Sequence, residues 1–185
     1  MIISLLAVLA ISLAFVVCTC ASSPPRSSGI TTETFMIPAL DAGIELYVRN
    51  KRPTSEERFG PERIVLFVHG ATFPSETGFD IELPGGSWMD FAAQRGFDAY
   101  CVDVRGYGGS TRPAAMEQPP EANPPFADTR EAVRDIAAAV EFIRKRRNVE
   151  KLNLVGWSWG TSRQPATRPR TQLRSKSWCS MPHCG

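Results

Sequence analysis

The sequence is poor in the residues that build metal centres and disulfide frameworks. Its 185 residues include two histidines, His69 and His183, and five cysteines. Four of the cysteines lie near the two ends of the chain, at Cys18, Cys20, Cys179 and Cys184. The fifth, Cys101, lies within an apolar run and is interpreted as a buried structural thiol. We therefore expect no metal site and no disulfide framework, and no pattern in the sequence indicates a cofactor.

Acidic residues are absent from residues 161–185, which hold five Lys or Arg, whereas the rest of the chain is mildly acidic. The formal net charge of +2 therefore comes from the carboxyl-terminal segment and not from an extended basic surface. Proteins that bind nucleic acid generally carry such a surface. We expect no nucleic-acid partner.

Charged residues are also absent from residues 1–20, where an almost unbroken apolar run covers positions 2–18. A Ser/Pro-rich linker at 23–30 follows it. This order is typical of a secretory signal peptide, which we assign to 1–22, and it predicts an exported protein, secreted or periplasmic. The run is also long enough for an uncleaved membrane anchor, in which case the membrane is a partner.

Beyond the linker, strand patterns come first and then alternate with helix patterns. Two predicted strands, "TTETFMIPA" and "GIELYVRN", flank a turn at Asp41–Gly43, and a charged linker follows them. The next segment, "RIVLFVHG", is a continuous apolar run typical of a strand buried on both faces. "GSWMDFAAQRG" has helical spacing, with Trp88, Phe91 and Ala92 on its predicted apolar face. "FDAYCVDVRG" is the next predicted strand.

The second half of the chain opens with a Pro-rich stretch, Ser110–Pro125, that excludes regular structure. Asp128 and Glu131 have the spacing of a capping box and predict a helix over 129–148. The residues of its apolar face are Ala132, Ile136, Ala139, Val140 and Ile143. "KLNLVG" is then a further buried strand. The alternation predicts an α/β fold over 31–162, with a mostly parallel sheet covered by helices on both faces.

The segment "LVGWSWG" carries the pattern Gly-x-Ser-x-Gly directly after a predicted strand. This pattern is typical of a nucleophile elbow, a sharp strand-to-helix turn that exposes a serine hydroxyl. The residues two positions from the serine must be small, because side chains there would collide with the neighbouring strand or helix. Gly156 and Gly160 meet that requirement, and we predict that Ser158 is a nucleophile.

A second loop follows the strand "VLFV" and begins with His69 and Gly70. Gly70 lets the backbone bend, so that the N–H of Ala71 or Thr72 can join the N–H of Trp159 in an oxyanion hole. We interpret His69 as a residue that shapes this loop and not as the catalytic base. It precedes the serine, whereas the expected order along the chain is Ser, acid, His.

A third loop, "DVRGYGGSTRP", is rich in glycine and begins at the end of the predicted strand "FDAYCVDVRG". Asp103 and Arg105 are expected to form a structural ion pair that shapes it. Dinucleotide binding is excluded, because the glycines lack the spacing Gly-x-Gly-x-x-Gly and Arg112–Pro113 stands where a helix is needed.

The order of these three motifs resembles the alpha/beta-hydrolase superfamily, specifically its fold-1 group with a serine nucleophile. The resemblance covers about residues 30–162. It implies a Ser-Asp/Glu-His triad, an oxyanion hole and attack on the carbonyl of a small-molecule ester, thioester or amide. The serine at position 158 argues against the dehalogenase and epoxide-hydrolase branches, which carry Asp there. Trp157, Trp159 and Phe73 indicate an apolar acyl or aryl site, or are plain packing residues.

The triad that the resemblance implies is incomplete in this sequence. Residues 163–185 contain no Asp or Glu, and His183 follows Ser158 too closely for the usual order. Translated one base out of register, this tail can encode an apolar strand. In that register Trp178–Cys179 forces valine and Met181–Pro182 forces alanine. We expect 163–185 to be an aberrant basic tail produced by a frameshift.

With the frameshift placed just after Ser162, this chain is expected to be an inactive, truncated form of a serine hydrolase. Two alternatives stay open. The chain can be a non-catalytic binding or scaffold fragment that kept the fold, or a cofactorless oxidoreductase of the same fold.

Overall fold

A computed structural model describes residues 29–162. The predicted signal segment 1–22, nearly all of the linker 23–30 and the predicted aberrant tail 163–185 lie outside the described residues. Within 29–162, no helix has both the length and the apolar character that a membrane crossing requires.

The described residues form five strands and four helices. The strands are β1 (Ile30–Pro38), β2 (Glu45–Pro53), β3 (Ile64–Val68), β4 (Asp98–Val102) and β5 (Asn153–Gly156). The helices are α1 (Ser75–Phe79), α2 (Trp88–Gln94), α3 (Thr129–Arg147) and α4 (Trp159–Ser162). The Pro-rich stretch contains two single 3-10 turns, Ala114–Glu117 and Pro120–Ala122.

The five strands form one sheet in the order β1-β2-β4-β3-β5. β3 lies in the centre of the parallel part and pairs in parallel with β4 and β5. β1 and β2 form an antiparallel hairpin, and β2 adds antiparallel to β4. The predicted parallel pairing is therefore confined to β4, β3 and β5, because the tight turn at Asp41–Gly43 reverses the chain between β1 and β2.

Helices cover both faces of the central strands, and every residue of β3 and β4 is buried. The face covered by α3 contains Leu66, Val102, Ile136, Ala139 and Ile143. The opposite face, covered by α1 and α2, contains Val65, Phe67, Phe79, Met89 and Cys101. Burial raises the pKa of the Cys101 thiol to about 12, so this cysteine is an inert core residue, as expected. The predicted α/β class is confirmed.

Helix α3 follows its sequence pattern closely. The Asp128 carboxylate accepts hydrogen bonds from the N–H groups of Arg130 and Glu131, and the Glu131 carboxylate accepts from the N–H of Asp128 (3.1 Å). The helix ends at Asn148, which has the left-handed backbone conformation of a helix C-cap. All five residues of the predicted apolar face are buried, and so is Asp135 on the same face.

Helix α2 forms where it was predicted, but with a different buried face. Met89 and Ala93 are fully buried, whereas Trp88 and Phe91 are each about half exposed, at 50% and 53%. Ala92 packs against the core as predicted, but the prediction was wrong for Trp88 and Phe91, because a seven-residue helix has only two turns and its side chains fit several apolar spacings. The capping box of Ser87 and Asp90 fixes the helix start instead.

Two further boundaries differ from the sequence prediction. β2 continues to Pro53, through residues assigned to a charged linker, because Lys51 pairs across the sheet with Ala99 and its charge is neutralised by Asp80 and Asp90. Helix α1 follows the loop that begins with His69 and Gly70, and no helix was predicted there. It is a single turn of five residues, too short to show helical periodicity.

The predicted ion pair between Asp103 and Arg105 is not formed. The Arg105 side chain, which is 6% exposed, instead binds the fully buried Asp135 of α3, with Nη2 to Oδ1 at 2.7 Å and Nε to Oδ2 at 3.0 Å. Its guanidinium also contacts Asp41 and Glu131. The hydrogen bond with Asp135 raises the pKa of Arg105 above its usual range, so the guanidinium stays charged. Arg105 therefore joins the loop after β4 to helix α3 and to the β1–β2 turn.

Replacing Asp135 by alanine is predicted to destabilise the fold by about 3 kcal/mol, because it leaves the Arg105 charge buried without its main partner. Glu141→Ala is the matched control on the same helix. It removes exposed pairs with Arg144 and Lys145 and should cost less than about 1 kcal/mol. Urea denaturation followed by circular dichroism measures both. Equal losses in the two variants would contradict the importance assigned to the buried pair.

Candidate active site

The carboxyl ends of the three adjacent parallel strands β4, β3 and β5 meet at one edge of the sheet. The loops that follow them are 103–113 after β4, 69–74 after β3, and 157–158 after β5. These are the three segments that the sequence analysis singled out. Ligands of open α/β sheets bind at this edge. The topology therefore brings the three predicted motifs together.

Ser158 lies at the tip of the turn between β5 and α4, with φ of +52°. A non-glycine residue in this left-handed region costs about 1–2 kcal/mol. Hydrogen bonds hold the turn: Trp157 N–H donates to the Val68 carbonyl (3.0 Å), and the N–H of Thr161 donates to the Ser158 carbonyl (3.0 Å). The side chain of Ser158 is exposed to solvent. The turn thus exposes the serine between a strand and a helix, the geometry expected of the predicted nucleophile elbow.

The backbone of the elbow packs directly against the end of β3. A Cβ atom added to Gly160 would lie 2.5 Å from the Val68 carbonyl oxygen and 2.7 Å from that of His69. Gly156, on the other side of the serine, is the last residue of β5 and pairs with Val68. The small residue that the motif requires at position 160 therefore has a direct steric cause.

Gly70 brings the loop after β3 close to the serine. A Cβ atom at Gly70 would lie 3.1 Å from Ser158 Cβ and 3.5 Å from Ser158 Oγ. One cavity of about 130 Å³ is shared by the two loops. Its lining consists of His69, Gly70, Ala71, Thr72, Phe73, Gly78, Phe79, Trp157 and Ser158. The predicted nucleophile and the predicted oxyanion loop therefore face the same small space.

The wall of this cavity is largely aromatic. Phe73 is 61% exposed and Trp157 is 53% exposed, and both line the cavity together with the buried Phe79. Trp159, the third aromatic residue named from the sequence, is not among the lining residues. Its backbone follows Ser158 directly at the start of α4. Two of the three predicted aromatic residues therefore line the site.

His69 is buried beneath the loop and is only 1% exposed. Its Nε2 accepts a hydrogen bond from the N–H of Val104 (3.1 Å), and its Nδ1 lies 2.6 Å from the Gly70 carbonyl oxygen. Because Nε2 acts as an acceptor, the proton of a neutral ring lies on Nδ1 and is donated to Gly70. Both ring nitrogens are therefore engaged with the backbone, which agrees with a loop-shaping residue.

The glycine-rich loop after β4 is attached to the loop after β3. Tyr107 donates its hydroxyl proton to the Ala71 carbonyl oxygen (2.6 Å), and its ring packs on the His69 ring with centroids 4.7 Å apart. Tyr107 is itself held in a turn, because its N–H donates to the Val104 carbonyl (3.1 Å). The two loops are thus joined by a hydrogen bond and by a ring contact.

Asp103 stabilises the glycine-rich loop after β4 and is buried, at 2% exposure. Its carboxylate accepts from the N–H of Ser75 at the start of α1 (2.7 Å) and from the N–H of Gly109 (3.0 Å). A Cβ atom at Gly108 would lie 2.0 Å from Asp103 Oδ2, so glycine is needed there. Asp103 therefore binds backbone amides and not Arg105, the partner predicted for it.

Histidine is the side chain that acts most often as a general base. Within 29–162 the sequence contains one histidine, His69, whose nitrogens are engaged as given above. No group of three or more His, Cys, Asp or Glu in that range could hold a metal ion.

Two residues of structural weight were missed by the sequence analysis, Tyr107 and Asp135. Each had a signal. Tyr107 stands among glycines in a loop at the carboxyl end of a strand, where side chains tend to serve a site. Asp135 is a charged residue inside the apolar face of α3, one turn from Ala132 and Ala139. A charge on a buried helix face indicates a buried partner.

Comparison with known families agrees with this geometry. The model of the alpha/beta hydrolase fold family matches residues 63–162, which is more than half of the chain. The chain belongs to the alpha/beta hydrolase fold family. A comparison with curated protein sequences gives no match.

Solved structures of several hydrolases are similar to this chain. A cold-adapted esterase from an Arctic intertidal metagenomic library is 19% identical, with a TM-score of 0.52 over 75% of this chain and 55% of its own. A prolyl endopeptidase is 16% identical, with a TM-score of 0.50 over 75% of this chain and 19% of its own. Epoxide hydrolase VrEH1 from Vigna radiata is 23% identical, with a TM-score of 0.46 over 75% of this chain. The chain spans about a third of that enzyme's length, 35%.

Replacing Gly160 by alanine is predicted to destabilise the protein by about 3 kcal/mol, because the new methyl group would meet two backbone carbonyl oxygens that cannot move aside. Gly78→Ala is the matched control within α1. No atom lies within 4 Å of its added Cβ, and alanine favours a helix by up to about 1 kcal/mol. Chemical denaturation of both variants tests the difference. A Gly160→Ala protein as stable as Gly78→Ala would rule out the tight elbow packing.

Proposed function

We propose that this protein carries the chemistry of a serine hydrolase, in which Ser158 attacks the carbonyl carbon of an ester, thioester or amide. The observation that supports this most directly is the elbow. A serine with φ of +52° is exposed between a strand and a helix and faces a cavity shared with Gly70. A serine held in such a strained turn is a feature of active sites more than of ordinary loops.

The reaction develops negative charge on the substrate carbonyl oxygen, which the site must stabilise. In our proposal the backbone N–H of Trp159 and that of Ala71 or Thr72 donate to this oxygen. Each such donor is worth about 3 kcal/mol in enzymes of this chemistry. Collapse of the tetrahedral intermediate expels the alcohol, thiol or amine, and water then hydrolyses the acyl group from Ser158.

We propose that the substrate is a small molecule with an apolar acyl or aryl group. Phe73 and Trp157 are both more than half exposed yet line the cavity beside Ser158, where they offer two aromatic surfaces. Exposed aromatic side chains at a concave site are typical of apolar ligand recognition. The cavity of about 130 Å³ admits only a small group beside the serine.

The proposed chemistry needs a base, and His69 is not available for that role because both of its ring nitrogens bond to the backbone. We propose that the acid and the late histidine are encoded past a frameshift just after Ser162, and that the 185-residue chain reacts slowly for lack of them. Loss of the base from a triad costs several powers of ten in rate.

Sequencing of the gene tests the frameshift proposal. We expect genomic DNA from independent isolates to contain an open frame, one base out of register after codon 162, that encodes an acid and a histidine. The same unshifted stop in every isolate would overturn this proposal. It would leave the assignment of Ser158 to be decided by the labelling experiment below.

Imidazole in solution is predicted to restore the reactivity of Ser158 toward a fluorophosphonate probe. The free base accepts the serine proton in place of the missing histidine, so the labelling rate should rise about tenfold or more. The rate should increase as the pH rises through about 6.5–7, because only unprotonated imidazole is a base. Intact-protein and peptide mass spectrometry measure the rate and locate the adduct.

Two variants sharpen the labelling experiment. Ser158→Ala should abolish the adduct. Ser162→Ala, which removes an exposed serine hydroxyl four residues away in α4, should leave the labelling rate unchanged. If the fluorophosphonate probe gives no adduct on Ser158 in the presence of imidazole, the first alternative is supported: the chain is a non-catalytic binding or scaffold fragment. The full-length protein encoded by the restored reading frame tests the other alternative. If the probe labels Ser158 but this protein hydrolyses no ester or amide, a cofactorless oxidoreductase is supported instead.

A further inference from the structure

We propose that Tyr107, together with His69, acts as a positioning residue that sets the direction of the two backbone N–H groups on the oxyanion loop. This inference rests on the proposed function, because it concerns the donors that would stabilise the oxyanion formed at Ser158. In this proposal the loop after β4 directs the oxyanion donors, whereas the nucleophile lies in the loop after β5.

The first peptide of the loop is fixed by His69. Its Nδ1 lies 2.6 Å from the Gly70 carbonyl oxygen, and its Nε2 accepts from the N–H of Val104. In a trans peptide the carbonyl and the following N–H point in opposite directions, and the described chain has no cis peptide bond. The N–H of Ala71 therefore points away from the buried His69 ring.

The second peptide is fixed by Tyr107 in the same manner. Its hydroxyl donates to the Ala71 carbonyl at 2.6 Å, so the N–H of Thr72 points away from Tyr107. Tyr107 is not among the residues that line the cavity, whereas Ala71, Thr72 and Ser158 are. Drawing the carbonyl toward Tyr107 thus turns the amide to the side where the cavity and the serine lie.

Tyr107 can hold this direction because its own position is constrained on several sides. Its ring packs on His69, and its N–H and carbonyl close a turn through Val104 and Ser110. The Asp103 carboxylate binds the N–H of Gly109 in the same turn. Ala71 and Thr72 are exposed, so this anchoring from the neighbouring loop compensates for the packing that they lack.

The test is the variant Tyr107→Phe, which keeps the ring on His69 and removes only the hydroxyl. Tyr47→Phe is the matched control: it removes a hydroxyl that donates to Glu76 (2.9 Å) in α1 and does not touch the oxyanion loop. Three quantities are measured on the full chain. They are the imidazole-assisted labelling rate of Ser158, the melting temperature, and the carbonyl carbon chemical shift of Ala71 by nuclear magnetic resonance.

In Tyr107→Phe we expect the carbonyl carbon resonance of Ala71 to move upfield as the hydrogen bond is lost. Labelling of Ser158 should slow about tenfold, less than the loss of a whole donor. The pH profile of labelling should keep its shape, since the base is imidazole in both proteins. Tyr47→Phe should match the wild type in labelling and in the Ala71 resonance.

The outcomes separate the two proposals. If the wild type is labelled and Tyr107→Phe is labelled at the same rate, the positioning role is overturned and the assignment of Ser158 stays intact. A slower rate in both tyrosine variants, in step with lower melting temperatures, also overturns it, because a structural loss then explains the effect. If wild-type Ser158 is not labelled at all, the proposed function fails and the positioning role fails with it, whatever the Ala71 resonance shows.

Discussion

The approach of two backbones at the end of β3 is the constraint on which the rest of the site depends. The elbow turn lies so close to the Val68 and His69 carbonyls that position 160 has no room for a Cβ atom. On the facing loop, a Cβ atom at Gly70 would already meet Ser158 at 3.1 Å. Packing this close fixes the serine turn relative to the end of β3 and to Gly70, and it leaves the direction of the loop amides to the side chains that bind the loop carbonyls. The parallel register of β3 with β5 sets that distance, so the fold itself creates the geometry of the site.

The strain of this arrangement is offset by polar contacts that converge from the neighbouring loop. Ser158 adopts a φ that costs about 1–2 kcal/mol, and the exposed loop at 71–72 contributes little packing of its own. Asp103 and Arg105 stabilise the neighbouring loop through different partners. The Asp103 carboxylate binds backbone amides on two sides, and Arg105 ties the same loop to the buried Asp135. These contacts anchor the loop after β4, which in turn holds the loop after β3 through Tyr107.

The parts of the fold that sequence predicts well are those governed by local chemistry. The cap at Asp128 and the apolar face of α3 depend on spacing within one helix, and both are confirmed. The wrong predictions involve tertiary choices that local spacing cannot show. Arg105 prefers a carboxylate on α3 over the nearby Asp103, because Asp103 is already satisfied by amides. At the site, the three motifs identify which loops meet, but the bond from Tyr107 to the Ala71 carbonyl joins residues 36 apart and has no local pattern.

The exposure of the site limits what its geometry can do in the described part of the chain. Oriented amides stabilise an oxyanion most effectively where water is excluded and the local dielectric constant is low. Ser158, Ala71 and Thr72 are exposed, and among the described strands β5 lies at the edge of the sheet with all its residues only half-buried. Solvent can therefore compete for the same amides. Fixing the direction of each donor through Tyr107 and His69 becomes more important under these conditions, because a misdirected amide in water contributes almost nothing to the reaction.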